Sequence, residues 1–307
     1  MPFSAGLRPS CPSRVVLPGA VSVLTSSLLE GAPQPAVVLG VHDPALYLDV
    51  AGRVLPVVTS DAVPLAPALR LAVPSGRVSG VVSGVVSGGV DWGVAAGDVV
   101  IVGDGRIVLP GFEIAAVRTW RPSRVAGVGC PSGRSSSRLS TQLEVWGEWG
   151  ERNERGSGWL ADGIRAVCSG LGCPDGHPGS HLSTQLGVGG LLGRGQGLTP
   201  SGDDALAGIL LVSHAVGRAA PLAAAVRSRL AATTAVSAAL LDAAADGYAA
   251  PDVVALVDAA LAGDDAGVSR ALPAVLAIGH TSGADLVAGI VGALHHLTDT
   301  TTGRSAA

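Results

Sequence analysis

The sequence contains no lysine: all 20 of its basic side chains are arginine. That excludes a Walker-type phosphate loop, which needs its lysine on the phosphates, as well as a Schiff-base enzyme and a lysine-carried cofactor. Aromatic residues make up only 3% of the chain, the net charge is −4, and no basic stripe with interleaved aromatics occurs. Nucleic acid is therefore excluded as a partner. Cysteine is scarce too, and Cys11, Cys130, Cys168 and Cys173 in 307 residues do not make a disulfide scaffold. No uninterrupted apolar run reaches the roughly 18 residues a membrane helix needs, so no membrane partner is expected. The apolar stretch from Val15 to Leu29 is broken by Pro18, Gly19, Thr25, Ser26 and Ser27, and no small-x-small cleavage site follows. It reads as part of a ragged leader rather than a signal peptide, which points to a cytoplasmic protein.

What the chain does have is apolar residues, 48% of the total, spread along its length. That is enough to build a sizeable core in one large domain or two smaller ones. Residues 1–35 are expected to form a poorly ordered leader. From Ala36 to about residue 120 the pattern is of short Val-rich runs bounded by Gly, Pro and Asp, such as Val54-Leu55-Pro56-Val57-Val58 and Val99-Val100-Ile101-Val102. This predicts short strands in a small barrel or meander, with Gly103-Asp104-Gly105 as a hairpin turn. The tetrapeptide repeat from Val78 to Gly88 reads as slippage in a permissive strand or loop. Residues 121–200 are a mixed connecting region ending in a Gly-rich loop, with helical segments at Ser137–Trp149 and Gly158–Cys168. From Ser201 to Ala307 alanine and leucine dominate, predicting a helical bundle with helices near 202–217, 220–246, 251–262, 265–277 and 283–297. Strands first and helices second give an α+β fold.

Cys168, Cys173, His177 and His181 could in principle hold zinc. The two pairs are separated by too short a spacer for the usual finger loop, in a segment crowded with Gly and Pro. A plain surface loop is the preferred reading, and no metal ligand is assigned there.

Two helix starts repeat each other. Ser201-Gly202-Asp203-Asp204-Ala205-Leu206-Ala207-Gly208-Ile209 and Ser282-Gly283-Ala284-Asp285-Leu286-Val287-Ala288-Gly289-Ile290 lie 81 residues apart and agree at six of nine positions. Ser-x-x-Asp is a good helix start, because the hydroxyl caps a backbone N–H and the acid faces the positive helix end. Small residues one turn on admit a close neighbour. The two helices are therefore expected to pack at Gly208 and Gly289, with their N-termini opening onto one cavity. Before Ser201 runs Gly193-Arg194-Gly195-Gln196-Gly197-Leu198-Thr199-Pro200, whose alternate glycines leave backbone N–H groups accessible at a helix start, as an anion site requires. Arg194 offers a fork for a small carboxylate or phosphate substrate. Gly195, Gly197, Thr199, Ser201, Gly202, Ser282 and Gly283 complete the candidate binding set. His280 can shuttle a proton. Asp204 and Asp285 occur in both copies, so they are read as capping groups or as ligands of a divalent cation. Asp203 is Ala284 in the second copy, which marks Asp203 for chemistry beside His280. Thr234 and Ser237 are weaker candidates, better explained as small polar residues of an alanine-rich helix.

These residues, Gly197 through Asp204 with Leu206-Ala207-Gly208 and Gly279-His280-Thr281-Ser282-Gly283-Ala284-Asp285, resemble the AllH-type subunit of oxamate carbamoyltransferase. The resemblance implies a role in allantoin breakdown, converting oxalurate and phosphate to oxamate and carbamoyl phosphate, with two further kinds of subunit as partners. Against it stands a non-catalytic, small-anion-binding or structural subunit, a reading favoured by the want of a nucleophile–base pair in either motif.

Overall fold

The computed structural model describes residues 14–75, 91–127, 158–171 and 178–302. The N-terminal part is a closed eight-stranded barrel. Its strands are β1 (Val15–Ser22), β2 (Gln34–His42), β3 (Ala45–Val50), β4 (Arg53–Val58), β5 (Leu69–Leu71), β6 (Val99–Gly103), β7 (Arg106–Val108) and β8 (Phe112–Trp120), in the order β1-β5-β4-β3-β2-β6-β7-β8. A short helix α1 (Ser27–Glu30) follows β1. Alternate side chains such as Ala36 and Val38, or Leu46, Leu48 and Val50, point inward with Trp92, Phe112 and Ile114 to fill the interior. The β6–β7 hairpin turns at Asp104 and Gly105, with φ of 49° and 72° and Gly103 paired with Arg106, the left-handed turn expected of Asp-Gly. The β3–β4 hairpin turns the same way at Ala51 and Gly52, and the Gly52 N–H donates to Asp49 Oδ1 at 2.7 Å.

The described part of the leader is not ragged. β1 closes the barrel, running parallel to β8 and antiparallel to β5, with Leu17, Ala20 and Val21 inside. Of the residues that break its apolar run, Pro18 is exposed, Gly19 lies at a register shift between β1 and β8, and Thr25 and Ser26 form the turn before α1. At Gly19 the strands pack closely: a Cβ there would lie 2.7 Å from Leu69 Cδ2 and 3.1 Å from Arg70 O.

The second half is helical: α2 (Gly158–Leu171), α3 (Pro178–Leu191), α4 (Ser201–Ala215), α5 (Ala220–Arg227), α6 (Ala235–Ala245), α7 (Pro251–Ala262), α8 (Asp265–Leu276) and α9 (Ser282–Thr302). Barrel followed by helices is the α+β arrangement the sequence predicts. No described helix is long and apolar enough to cross a membrane. Two differences from expectation carry physical meaning. The single helix expected over 220–246 is two, because Thr234 caps a new start: its hydroxyl oxygen accepts the Ser237 N–H at 3.0 Å. And α3 forms where a Gly-rich connection was expected. Its glycines serve contact, since a Cβ on Gly187 would lie 2.7 Å from Val167 N, and α2 answers with Gly163 against Leu191 and Gly170 against Thr184. The segment Ser137–Trp149 and the Val78–Gly88 repeat lie outside the described residues.

The halves are tied together. β9 (Ser123–Arg124) pairs with β10 (Tyr248–Ala249), and the Val125 N–H donates to Gly247 O at 2.9 Å. Arg124 donates to Asp246 O at 2.8 Å and lies 3.1 Å from His214 Nε2. On the barrel wall, Gly40 of β2 faces Leu198 of the Gly-rich loop, 3.4 Å from where its Cβ would be.

Candidate functional site

α4 and α9 pack with almost no space between them. A Cβ on Gly208 would lie 2.3 Å from Leu286 O, and one on Gly289 would lie 2.0 Å from Ala205 O. Gly208 and Gly289 occupy equivalent repeat positions, as do Leu286 and Ala205. The two helices therefore contact each other through the same surface in both directions, as an internal twofold axis would require. The flanking contacts repeat as well. Gly202 abuts Leu191 O at the end of α3, and Gly283 abuts Val275 O in the last turn of α8, each at 2.0 Å from the would-be Cβ.

This packing sets the two helix starts side by side, with Thr199 Oγ1 3.0 Å from Ser282 Oγ. Their serine hydroxyls reach across the pair. Ser282, first in α9, bonds the Asp204 carboxyl in α4, while Ser201, first in α4, bonds the Asp285 carboxyl in α9. Thr199 adds a bond to Asp204, and Thr281 adds one to Asp285. Each acid thus meets the serine of the other helix, while the N-cap of α4, Pro200, makes no side-chain cap bond. Burial pushes Asp204 up to about 8, helped by the charges of Asp285 and Asp203 and opposed by the Ser282 and Thr199 hydroxyls. Burial also raises Asp285, against hydrogen bonds from Ser201 and Thr281. The Oδ2 atoms of both are sealed from solvent without a hydrogen-bond partner. A buried oxygen in that position is less costly protonated than charged.

Asp203 has a different environment. It is 1% exposed, and both its oxygens are engaged. Oδ1 accepts the Gly193 N–H at 2.7 Å; Oδ2 accepts the Ser237 hydroxyl at 2.7 Å and the Thr233 hydroxyl. The Thr234 hydroxyl donates to Leu198 O. Asp203, Thr233, Thr234 and Ser237 therefore clamp the Gly-rich loop onto the start of α6. The break between α5 and α6 is what brings Thr233 and Thr234 into reach.

The loop itself is exposed from Arg194 to Gly197. Gly193, Gly195 and Gly197 have φ of 72°, 131° and 86°, conformations that favour glycine. Gly193 does not offer its N–H outward, because Asp203 takes it. Arg194 is anchored at both ends of its peptide unit: its N–H donates to Leu191 O at 3.0 Å and its carbonyl accepts the Gly202 N–H at 2.9 Å. Its guanidinium lies 4.3 Å over the Trp159 ring of α2, a residue the sequence did not single out. Gly195 and Gly197 are at the exposed tip. His280 is exposed on the turn ahead of α9, whose Gly279 has φ of 58°.

For a cation, the available donors around the crossed contacts are the Asp204 and Asp285 carboxyls and the Ser201, Ser282, Thr199 and Thr281 hydroxyls, an all-oxygen set. No group of three or more His, Cys, Asp and Glu side chains that could hold a metal occurs among the described residues. Cys168 is buried within α2, and burial pushes its thiol up to about 12. Cys173 and His177, and the side chain of His181, lie outside the described residues.

Residues 191–294 match the model of a family described as oxamate carbamoyltransferase subunit AllH, the family that the motif residues resemble. The matched stretch runs from the end of α3 into α9 and contains both helix starts; the barrel and α2 lie outside it. No solved structure matches the chain.

Proposed function

We propose that this chain is a subunit of a carbamoyltransferase acting between oxalurate and phosphate on one side and oxamate and carbamoyl phosphate on the other. The substrate-facing site is the joined starts of α4 and α9. The observation that carries this reading is the crossed pair of serine–carboxyl contacts, which hold two acids, both raised by burial, where two helix starts meet inside the family-matched segment.

In the phosphorolytic direction a phosphate oxygen attacks the carbamoyl carbon, and the C–N bond to the oxamate nitrogen breaks. The carbonyl oxygen gathers negative charge in the tetrahedral state, where a helix N-terminus is stabilising. The leaving nitrogen needs a proton. Asp204, held protonated near neutral pH, is suited to give it and to recover it in the reverse direction. His280 is the second proton carrier within the motif. The roles first read from the sequence are thereby exchanged: Asp203 positions the loop, and Asp204 carries the chemistry.

A second reading, that catalysis lies on a partner subunit, is favoured by the sealing of both Oδ2 atoms from solvent. One experiment separates the two. The complex is assembled with Asp204→Asn in this chain, and oxalurate phosphorolysis is assayed. Turnover lost by two or more orders of magnitude in an intact complex, a typical worth for a positioned acid, supports the catalytic reading. Unchanged turnover supports the non-catalytic one.

A further inference from the structure

We infer that Trp159 is a positioning residue for substrate, an indole platform that holds the Arg194 guanidinium ready for a planar carboxylate. This rests on the proposed function, in which the Gly-rich loop faces substrate. Arg194 is the cation of that loop, and its side chain is fixed at both ends. The backbone is bonded on one side to Leu191 O and on the other to the Gly202 N–H, so the base of the side chain is registered to the start of α4. The tip stacks on Trp159 at 4.3 Å, closer than the stacks of Arg70 on Trp120 at 5.4 Å or Arg124 on Tyr248 at 5.3 Å.

Arg70 on Trp120 keeps a buried Nε without a partner, whereas several other arginines are spoken for. Arg106 meets Glu113 at 2.9 Å, Arg227 meets Asp242 at 2.7 Å, and Arg124 donates to Asp246 O and contacts His214. Among the described residues no carboxylate pairs with Arg194, and the side chain is exposed. Stacking covers one face of a guanidinium and leaves its N–H edge free, the edge that grips a carboxylate with two parallel bonds. A long side chain ordered before binding loses less freedom when the ligand arrives. Trp159 lies in α2, outside the family-matched residues, so the platform is supplied by a different part of the chain from the loop it serves. A planar carboxylate, as in oxamate, fits that edge better than a tetrahedral phosphate does, because both oxygens can lie in the guanidinium plane.

The test is titration calorimetry of the purified chain with oxamate and, separately, inorganic phosphate. The variants are Trp159→Leu, Trp159→Phe and Arg194→Gln, each with its melting temperature. Trp159→Leu should weaken oxamate binding about tenfold, a cation–π contact's worth. Trp159→Phe should restore it to within about twofold, because the ring face is what matters. Arg194→Gln should abolish it. Leu and Phe variants that weaken binding equally, or a Leu variant that binds as wild type while Arg194→Gln does not, overturn the platform and leave the loop reading standing. A stronger effect on phosphate than on oxamate overturns the carboxylate assignment. Wild-type binding by Arg194→Gln, or a wild-type chain that takes neither probe, overturns the loop reading itself.

Discussion

At the scale of single residues, three aspartates within one site have different chemistry because their surroundings differ. Asp203 accepts three hydrogen bonds in a buried clamp. Asparagine there would turn an NH2 toward donors and leave at least one of them unpaired. The near-neutral change that helix-capping rules predict for Asp203→Asn is thus replaced by a cost of about 2–4 kcal/mol, read as a lower urea midpoint. Asp204 behaves oppositely. Its folded pKa, about 8, lies above its ordinary 3.8, so folding favours the protonated form. Its contribution to stability is fully present below about pH 4 and is lost as pH rises through about 8. Asp204→Asn removes that loss. The variant should therefore gain melting temperature relative to wild type as pH is raised from 5 to 9, while activity falls. A difference in melting temperature independent of pH would mean Asp204 is ionised in the folded protein. The two acids adjacent in sequence were legible as functional candidates. That Asp203 is fully engaged in a clamp was not, because its partners Thr233 and Ser237 lie 30 and 34 residues away.

At the scale of elements, the repeat was legible because both copies share a Ser-x-x-Asp start and a glycine two turns in. Helix–helix contact at Gly208 and Gly289 follows directly from the small residues, and the structure bears it out. The crossed contacts were not legible: a Ser-x-x-Asp pattern fits local capping equally well, and only the packing reveals that each serine meets the acid of the other helix. Glycine misled elsewhere. Gly170 and Gly187 read as loop punctuation, yet with Gly163 they line the α2–α3 contact, where close approach rather than a turn is required. Gly289→Ala tests this scale. Its Cβ would sit 2.0 Å from Ala205 O, a contact relieved only by parting α4 from α9. The expected cost is about 1–3 kcal/mol of overpacking. Because parting the helices lets solvent reach Asp204 and eases the burial that raises it, the high-pH loss of stability belonging to Asp204 should shrink in the same variant. Two effects from one methyl group distinguish this contact from a plain core defect.

At the scale of the whole molecule, the order of strands before helices was legible from the change of Val-rich runs into Ala-rich ones, and a small barrel or meander was expected, but the strand that closes the barrel was not legible. Closure depends on β1, a strand whose Pro18 and Gly19 mask its pattern and whose partners, β5 and β8, lie about 50 and 100 residues on. That makes the beginning of the chain a sharp test. Removing residues 1–13 leaves every described strand in place and should change the unfolding midpoint little. Removing residues 1–22 deletes β1, takes Leu17, Ala20 and Val21 out of the core, and leaves β5 and β8 as open edges. Burial of those side chains is worth on the order of 1.5–3 kcal/mol for each of the larger two, a large share of a typical domain's net stability. The longer truncation should therefore fail to give a cooperatively folded protein. The damage should also reach the helical half, because Gly40 of the barrel abuts Leu198 in the loop and Arg124 bonds the end of α6. Circular dichroism would register the lost strands, and oxamate titration the disturbed loop. A longer truncation that still binds oxamate with wild-type affinity would show that the barrel merely accompanies the site; weakened binding with the helices still formed would show that the barrel wall helps to hold it.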